Sequence, residues 1–332
     1  MYSWSWLEYP KKLHDLHNEY PLAPERIEIN EVEELIPNLN EKKKYVLHHK
    51  NFKQYLDLGL KLTKIRRGTS FDENAWLKPY IELNTNLRSK AQNKFEKDFF
   101  KLMNNSVFGK MIENIRNRVN IQLVNNQKSL KKCVAKPNFD HYTVFDENLV
   151  AVHMKKTELV FNKPVYLGMS SLDLSKTLMY DFHYNYIKKK FGSKVNLLFT
   201  DTDSLCYESE TEDFFKDISA EAQEKFDISN FSPNHPSGIP TGINKKVPVM
   251  FKDEAGGEII EEFVGSWAKL YAIKKLDGEE EKRFKGVKRG VAKKGISFED
   301  FKKCLFSGRQ QLRTMNIIGV INMKSIQRQS TK

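Results

Sequence analysis

Three stretches of this 332-residue chain hold residue types that could act on a phosphate ester. In LLFTDTDSLCYE, residues 197–208, Asp201 and Asp203 stand one residue apart between apolar runs that read as buried strands. In an extended segment residues i and i+2 point to the same side, so both carboxylates could face one cation. Mg²⁺ is the hard cation such oxygens suit, and it completes its shell with waters and substrate phosphates; Mn²⁺ takes similar ligands. Two such ions roughly 4 Å apart activate an attacking oxygen and stabilise a leaving one. A solvent-facing Asp-Thr-Asp turn has the same sequence, and on spacing alone it is the plainer reading.

The second stretch is a helical pattern over residues 87–108. Lys90, Lys94, Lys97, Lys101, Asn105 and Phe108 recur at helical steps and share one face, roughly 80° wide at about 100° per residue. Ala91, Phe95, Phe99 and Leu102 make an apolar face about 120° away, fit to pack on a core. A rigid row of ammoniums ending in an amide and an aromatic ring could hold a triphosphate and its base. By itself, an ordinary solvated lysine face is the plainer reading of the row. Asn104, Asn105 and Ser106 are indifferent helix formers, which argues against a plain exposed helix.

The third stretch is basic. Lys269 and Tyr271 would share a strand face, offering one phosphate contact and one hydroxyl or stacking surface. Half-buried tyrosine and snorkelling lysine explain the pair almost as well. The run KRFKGVKRG at 282–290 carries Lys285, Lys288 and Arg289 around an aromatic ring, which suits tracking of a sugar-phosphate backbone. The whole chain has a net charge of +12. Residues 269–332 hold 17 Lys plus Arg against 6 Asp plus Glu, so nearly all the excess lies in the last fifth. An anionic partner, nucleic acid before membrane, follows from that distribution.

Cys133, Cys206 and Cys304 are odd in number and far apart, so neither a zinc site nor a disulfide framework is expected. MYSWSWLEYP lacks a signal-peptide pattern, and no apolar run reaches membrane-spanning length. An intracellular, non-secreted protein with no membrane partner is expected, with the nucleus a plausible site. Residues 1–40 read as extended segments and turns, and 41–118 as mostly helical. Short strands are expected at 119–124 and 149–153. A helix is expected over 171–190, with Leu174, Leu178, Phe182 and Tyr186 at steps of four. A hairpin follows with its acids at the turn, then a Pro/Gly-rich loop at 232–246, strand character over 258–274 and a basic, partly helical tail. The mixture predicts an α+β protein with helical lobes flanking an antiparallel sheet.

In this order these residues resemble the C-terminal half of a family B DNA polymerase, above all the protein-primed kind of Maverick/Polinton-type transposons and related viruses. KLMNNSVFG at 101–109 is similar to the family's K-x-x-x-N-S-x-Y-G, and FTDTDS at 199–204 to its Y-x-D-T-D-S. Lys269-Leu-Tyr271 resembles the K-x-Y element at the primer end. EYPKKLHDLHNEYPLAP, WLKPYIELNTNLR, LDLSKTLMYDFHYNY, HPSGIPTG and DEAGGEIIEEFVG also read like the transposon branch, so the likeness runs from about Leu7 nearly to the end.

The resemblance implies a right-hand fold: an N-terminal remnant at 1–40, fingers at 41–118, palm at 119–275 and part of a basic thumb at 276–332. It implies DNA-directed DNA polymerase activity on a primer-template and dNTPs, with a Mg²⁺ pair and a possible priming protein. Asp203 would be the direct metal ligand with Asp201 beside it. Lys101 would hold the triphosphate, Asn105 and Phe108 would border the nascent base pair, and Arg88 or Lys90 would add a phosphate contact. Lys269 and Tyr271 would steady the primer end. Phe108 and Phe199 stand where the pattern has tyrosine.

One departure is large. The family's D-x-x-S-L-Y-P run, source of the other metal-binding Asp, does not occur before Lys101, and the exonuclease motifs are also absent. Asp173 opens the nearest imitation, but after the lysine motif, and reads as structural. The chain is expected to begin just downstream of that motif, with MYSWSW as an unrelated leader, and to be nearly inactive alone. A non-catalytic DNA-binding remnant is the second expectation. A two-metal nuclease is disfavoured, because hydrolysis needs no triphosphate site.

Overall fold

A computed structural model describes residues 2–29, 31–267, 269–308, 311–321 and 324–331; side chains of Val32, Trp267, Arg289 and those beyond Thr314 lie outside that description. The chain runs β1 (Tyr2–Glu8), a short α1 (His14–His17), β2 (Glu25–Ile29), β3 (Val32–Ile36), β4 (Lys42–His48), α2 (His49–Asp57) and β5 (Lys61–Thr69). Then come α3 (Lys78–Lys90), α4 (Lys94–Met111), β6 (Asn120–Val124), α5 (Gln127–Val134), β7 (Phe139–Asp146), β8 (Leu149–Met154) and α6 (Val165–Tyr180). A π-helical stretch (Asp181–Lys188) and the one-turn α7 (Lys189–Phe191) lead to β9 (Val195–Asp201) and β10 (Ser204–Ser209). The remainder is α8 (Phe214–Asp217), α9 (Ala222–Lys225), β11 (Phe226–Asp227), β12 (Phe251–Lys252), β13 (Ile260–Trp267), β14 (Leu270–Lys275), β15 (Glu280–Phe284), α10 (Arg289–Gly295), α11 (Phe298–Ser307), β16 (Thr314–Ile321) and β17 (Lys324–Thr331).

These elements form two compact units: Met1–Ile112 with Pro164–Gly257, and Glu113–Lys163 with Glu258–Lys332. The span 119–275 is therefore shared between both units.

In the first unit the opening residues are no appendage. β1 is the middle strand of an antiparallel sheet ordered β4-β1-β5. Its period-2 alternation buries Ser3, Ser5 and Leu7 on one face and leaves Trp4 and Trp6 half-covered on the other. There the Arg66 guanidinium sits 5.6 Å from the Trp4 ring and the Lys64 ammonium 5.8 Å from Trp6. The expectation of helix over 41–118 is corrected here, since 42–48 and 61–69 are strands recruited by β1. Lysine-rich alternation reads locally as a helix face, but edge strands also favour Lys and Arg.

The core of this unit joins Leu7, Leu22, Leu47, Tyr55, Leu60, Tyr180 and Tyr184. Residues 20–24, too rich in Pro for regular structure, are held there by tyrosine hydroxyls. Tyr184 donates to the Tyr20 carbonyl at 2.6 Å, Tyr180 to Pro21 at 3.0 Å and Tyr45 to Pro24 at 2.8 Å. Buried carbonyls without strand partners are thereby satisfied.

The helix expected over 171–190 starts earlier, at Val165, and loosens into i→i+5 bonding after Tyr180. Its buried residues include Asp173, Met179, Tyr180, His183, Tyr184 and Ile187 rather than the stripe of Leu174 to Tyr186. The wider π turn shifts the phase of the pattern, so a period of four no longer follows one face.

Within α6, Gly168 faces Ile112 at the end of α4, and a Cβ added there would overlap Ile112 Cγ2. The β-branched isoleucine has little rotamer freedom to yield. Gly168→Val is expected to lower unfolding stability by about 1–3 kcal/mol in urea titration. Adding Ile112→Ala should recover part of the loss; additive losses would contradict this contact.

The second unit holds a sheet ordered β6-β8-β7 packed by α5 around Cys133, Val152 and Met154. It also holds a sheet ordered β13-β14-β15 packed by α11 around Val264, Ala272, Phe298 and Phe301. α11 begins with a capping box between Ser297 and Asp300. β16 and β17 pair as a hairpin in the tail, a strand component beyond the expected helix. Among the described residues no helix is long and apolar enough to cross a membrane.

Candidate functional site

Asp201 and Asp203 occupy the tip of the β9–β10 hairpin. Asp201 pairs with Ser204, leaving Thr202 and Asp203 as a two-residue turn. Such turns need positive φ, and Thr202 adopts +52°. The premise of an extended i, i+2 pair is therefore corrected: the chain reverses between the two acids. The turn is closed by Asp203 N–H donating to the Asp201 carbonyl at 2.5 Å and Ser204 Oγ donating to it at 3.2 Å. Asp203 is exposed and Asp201 half-buried. The flanking strands are not buried runs either, since Leu198 and Thr200 are exposed and only Val195 of β9 is buried.

The hairpin is fixed from behind. Glu19 accepts Leu197 N–H at 3.1 Å and pairs with Lys188 at 2.8 Å, and Lys188 also donates to the Val195 carbonyl. Burial pushes the Glu19 carboxyl up, but the Lys188 and Leu197 bonds more than offset it and hold it below the usual range. His183 and the Tyr207 hydroxyl of β10 lie 3.0 Å apart.

A Mg²⁺ or Mn²⁺ pair is the group this hairpin suggests, and the residues fit. Two carboxylates flank a tight turn, Asp201 half-buried with Thr202 Oγ1 3.4 Å from its Oδ1 and Asp203 exposed, and both are oxygen donors of the kind a hard cation takes. Mg²⁺ commonly uses only one or two protein carboxylates beside water and phosphate. Among the described residues the one cluster of three acids is elsewhere, Glu258, Asp277 and Glu279. Lys275 already lies 3.0 Å from Glu258 and 2.9 Å from Glu279, so an ammonium already pairs with two of its three acids.

The lysine helix is interrupted. α3 ends at Lys90 and α4 begins at Lys94, because Asn93 caps the new helix by accepting Glu96 N–H at 2.8 Å. Lys90 thus leaves the α4 face, where Lys94, Lys97, Lys101 and Asn105 remain exposed and Phe108 is half-buried. The expected core face is also corrected: Phe95 is 78% and Leu102 61% exposed. α4 instead covers the stripe of Phe100, Met103, Val107 and Met111. Both stripes are apolar, and α3 lies across the second, with Tyr80 Oη donating to the Met103 carbonyl at 3.3 Å and Asn104 Nδ2 to Thr85 Oγ1 at 3.4 Å.

Arg88 is half-buried near the end of α3, and its carbonyl accepts Lys246 Nζ at 2.8 Å. Lys246 was hidden from sequence reasoning inside a Pro/Gly loop; its adjacent Lys245 was the one available hint. Asp173 is buried in mid-helix, accepts His48 N–H at 3.2 Å and pairs with Lys176 at 3.6 Å, with burial raising its pKa. It ties α6 to β4.

The remaining expected residues belong to the second unit. Lys269 does not share a strand face with Tyr271, because it sits in the β13–β14 turn with φ +58°. Tyr271 lies on β14 opposite Arg283. Lys285 N–H donates to the Lys269 carbonyl at 3.0 Å, so the basic run starts beside that turn. Lys285 and Lys288 are exposed, and the Arg289 side chain is outside the described residues.

A sequence model of the family described as DNA polymerase type B, organellar and viral, matches residues 9–189, more than half of the chain. It takes in α3 and α4 and stops short of β9. No curated protein and no solved structure gives a significant match. The chain belongs to the organellar and viral type B DNA polymerases, a family of nucleotidyltransferases acting with DNA and nucleotides.

Proposed function

We propose that this chain carries the fingers, palm and beginning of the thumb of a right-hand, protein-primed DNA polymerase of the Maverick/Polinton kind. The observation that carries this reading is the β9–β10 tip in the same compact unit as the exposed lysine face of α4. One supplies paired carboxylates, the other ammoniums for a triphosphate.

In the reaction, a primer 3′-oxygen attacks the α-phosphate, a new P–O bond forms, and the α–β bridging bond breaks to release pyrophosphate. Asp201 and Asp203 would hold a divalent pair that lowers the cost of charge on the attacking and leaving oxygens. Lys101 neutralises the triphosphate from a helix that α3 holds at its middle and Gly168 meets at its C-terminal end. Asn105 and Phe108, one and two turns further, border the base pair. Arg88 and Lys90 reach the phosphates from the end of α3. Lys269 and Tyr271 hold the primer end, and Lys285, Lys288 and Arg289 follow the duplex backbone.

Within residues 1–332 no D-x-x-S-L-Y-P run occurs, so these residues alone are expected to be nearly inactive, with only trace primer extension. Single-turnover extension of a primed template tests the reading. Lys101→Ala should lower incorporation by about 10²-fold or more, through loss of charge stabilisation on the triphosphate. Salt-sensitive duplex binding with no template-dependent incorporation in Mg²⁺ or Mn²⁺ would replace the enzyme by a DNA-binding remnant.

A further inference from the structure

The loop between β11 and β12 is built against local backbone preference. Asn244 and Lys246 both have φ +58°, and Val249 has +75°. A left-handed backbone costs a non-glycine residue roughly 1–2 kcal/mol, so other contacts must hold it there. Asn244 Nδ2 donates to the carbonyls of Gln223 at 2.7 Å and Phe226 at 3.0 Å. Buried Asp227 accepts the Lys246 N–H at 2.9 Å. The result is one ammonium placed with care: Lys246 Nζ, half-buried, on the Arg88 carbonyl near the end of α3.

That ammonium stands among like charges. Burial, then Arg88, Lys245, Lys97 and Lys252, hold the Lys246 pKa below the usual lysine range. The Arg88 Nε is buried without a hydrogen-bond partner. Asp227 lies 3.8 Å from Lys252 Nζ. Its two oxygens already accept the backbone N–H groups of Ser229 and Lys246. Cations gathered by a strained loop repel one another, and a bound polyanion offsets both that repulsion and the desolvation.

We propose that the end of α3, the first turns of α4 and the 244–252 loop form one polyphosphate site, with Lys246 at its centre, that receives the phosphate tail of a nucleotide. This rests on the nucleotide-binding reading above and extends it to a loop outside both helices. The chemistry favours a compact polyphosphate over a nucleic-acid backbone. Arg88 and Lys246 are recessed and close together, whereas backbone tracking uses an open row of charges.

Lysine acetylation of the full chain, read peptide by peptide by mass spectrometry, tests the site. The probes are inorganic tripolyphosphate, dGTP and a single-stranded oligonucleotide. Tripolyphosphate and dGTP should slow acetylation of Lys246 about tenfold, the scale of one charge-assisted bond, while exposed Lys12 is unchanged. Lys246→Gln should weaken tripolyphosphate binding by a similar factor in calorimetry, with Lys246→Arg restoring most of it. No protection of Lys246 by tripolyphosphate, or protection by the oligonucleotide alone, overturns the proposal. Tripolyphosphate binding requires neither Asp203 nor a primer. Lost protection with Lys101-dependent extension intact therefore removes only this site, whereas protection without any extension removes only the polymerase reading.

Discussion

Asp203→Ala is expected to remove divalent-dependent chemistry from this chain. Asp203 is the exposed member of the turn pair, and its carboxylate has no backbone duty that alanine would disturb, since the turn closes through main-chain and Ser204 bonds. Fold and stability should therefore stay close to the parent. A metal-assisted transfer loses several kcal/mol of charge stabilisation when a ligand goes, which is about 10³-fold in rate. Single-turnover incorporation reads the rate, and Mn²⁺ binding followed by electron paramagnetic resonance in the presence of dNTP reads the ion itself. Asp201→Ala should weaken Mn²⁺ binding less if Asp203 is the direct ligand. Unchanged Mn²⁺ affinity in Asp203→Ala would remove the hairpin from the catalytic centre.

Acid should unfold the first unit well before its carboxylates are all protonated. His17 and His183 are fully buried, and burial lowers both imidazoles from 6.5 to about 4, with Lys188 adding to the effect at His183. Each ring is packed against Tyr184, and each Nε2 is buried without a partner, so a proton there has no acceptor nearby. Between pH 6.5 and 4 the unfolded chain takes up protons that the folded rings refuse. Their stabilising contribution is thus complete above pH 6.5 and is lost as pH falls towards 4. Each ring accounts for roughly 3 kcal/mol, and the pair for less than twice that because they repel when both are charged. That is a large share of the ~5–15 kcal/mol that holds a typical domain. Asp173, with its carboxyl raised by burial, acts in the opposite sense and softens the slope. Urea midpoints should fall steeply from pH 6.5 to 4.5, and His17→Gln/His183→Gln should flatten the fall by about half or more. The same slope in the double variant would place the acid sensitivity elsewhere.

The motifs that nominate the candidate site were legible because they are residue types at short spacing. KLMNNSVFG and FTDTDS are contiguous, and a hairpin with its acids at the turn followed from two short apolar runs around Asp-Thr-Asp. The failures share one cause. Phe95 and Leu102 were assigned to a core because apolar spacing marks a face without saying what lies across it, and α4 has two such faces. Lys42–His48 was read as helical because a run of lysines fits either a helix or an edge strand, and only pairing with β1 chooses. Lys90 was placed on α4 because the Asn93 cap looks like any other polar residue.

By itself, then, the sequence determined which side chains carry the charge and donor types that suit phosphate and a hard cation, since these travel with the residue. Only the tertiary structure decided that Tyr2–Glu8 is a central strand, that Thr202 reverses the chain between the two acids, and that Lys246 stands at the end of α3. Each of these depends on partners outside the element: β4 and β5 for the strand, Glu19 and His183 behind the hairpin, Gln223, Phe226 and Asp227 for the loop. Packing and hydrogen-bond satisfaction are set by what arrives from elsewhere, and no local pattern carries that information.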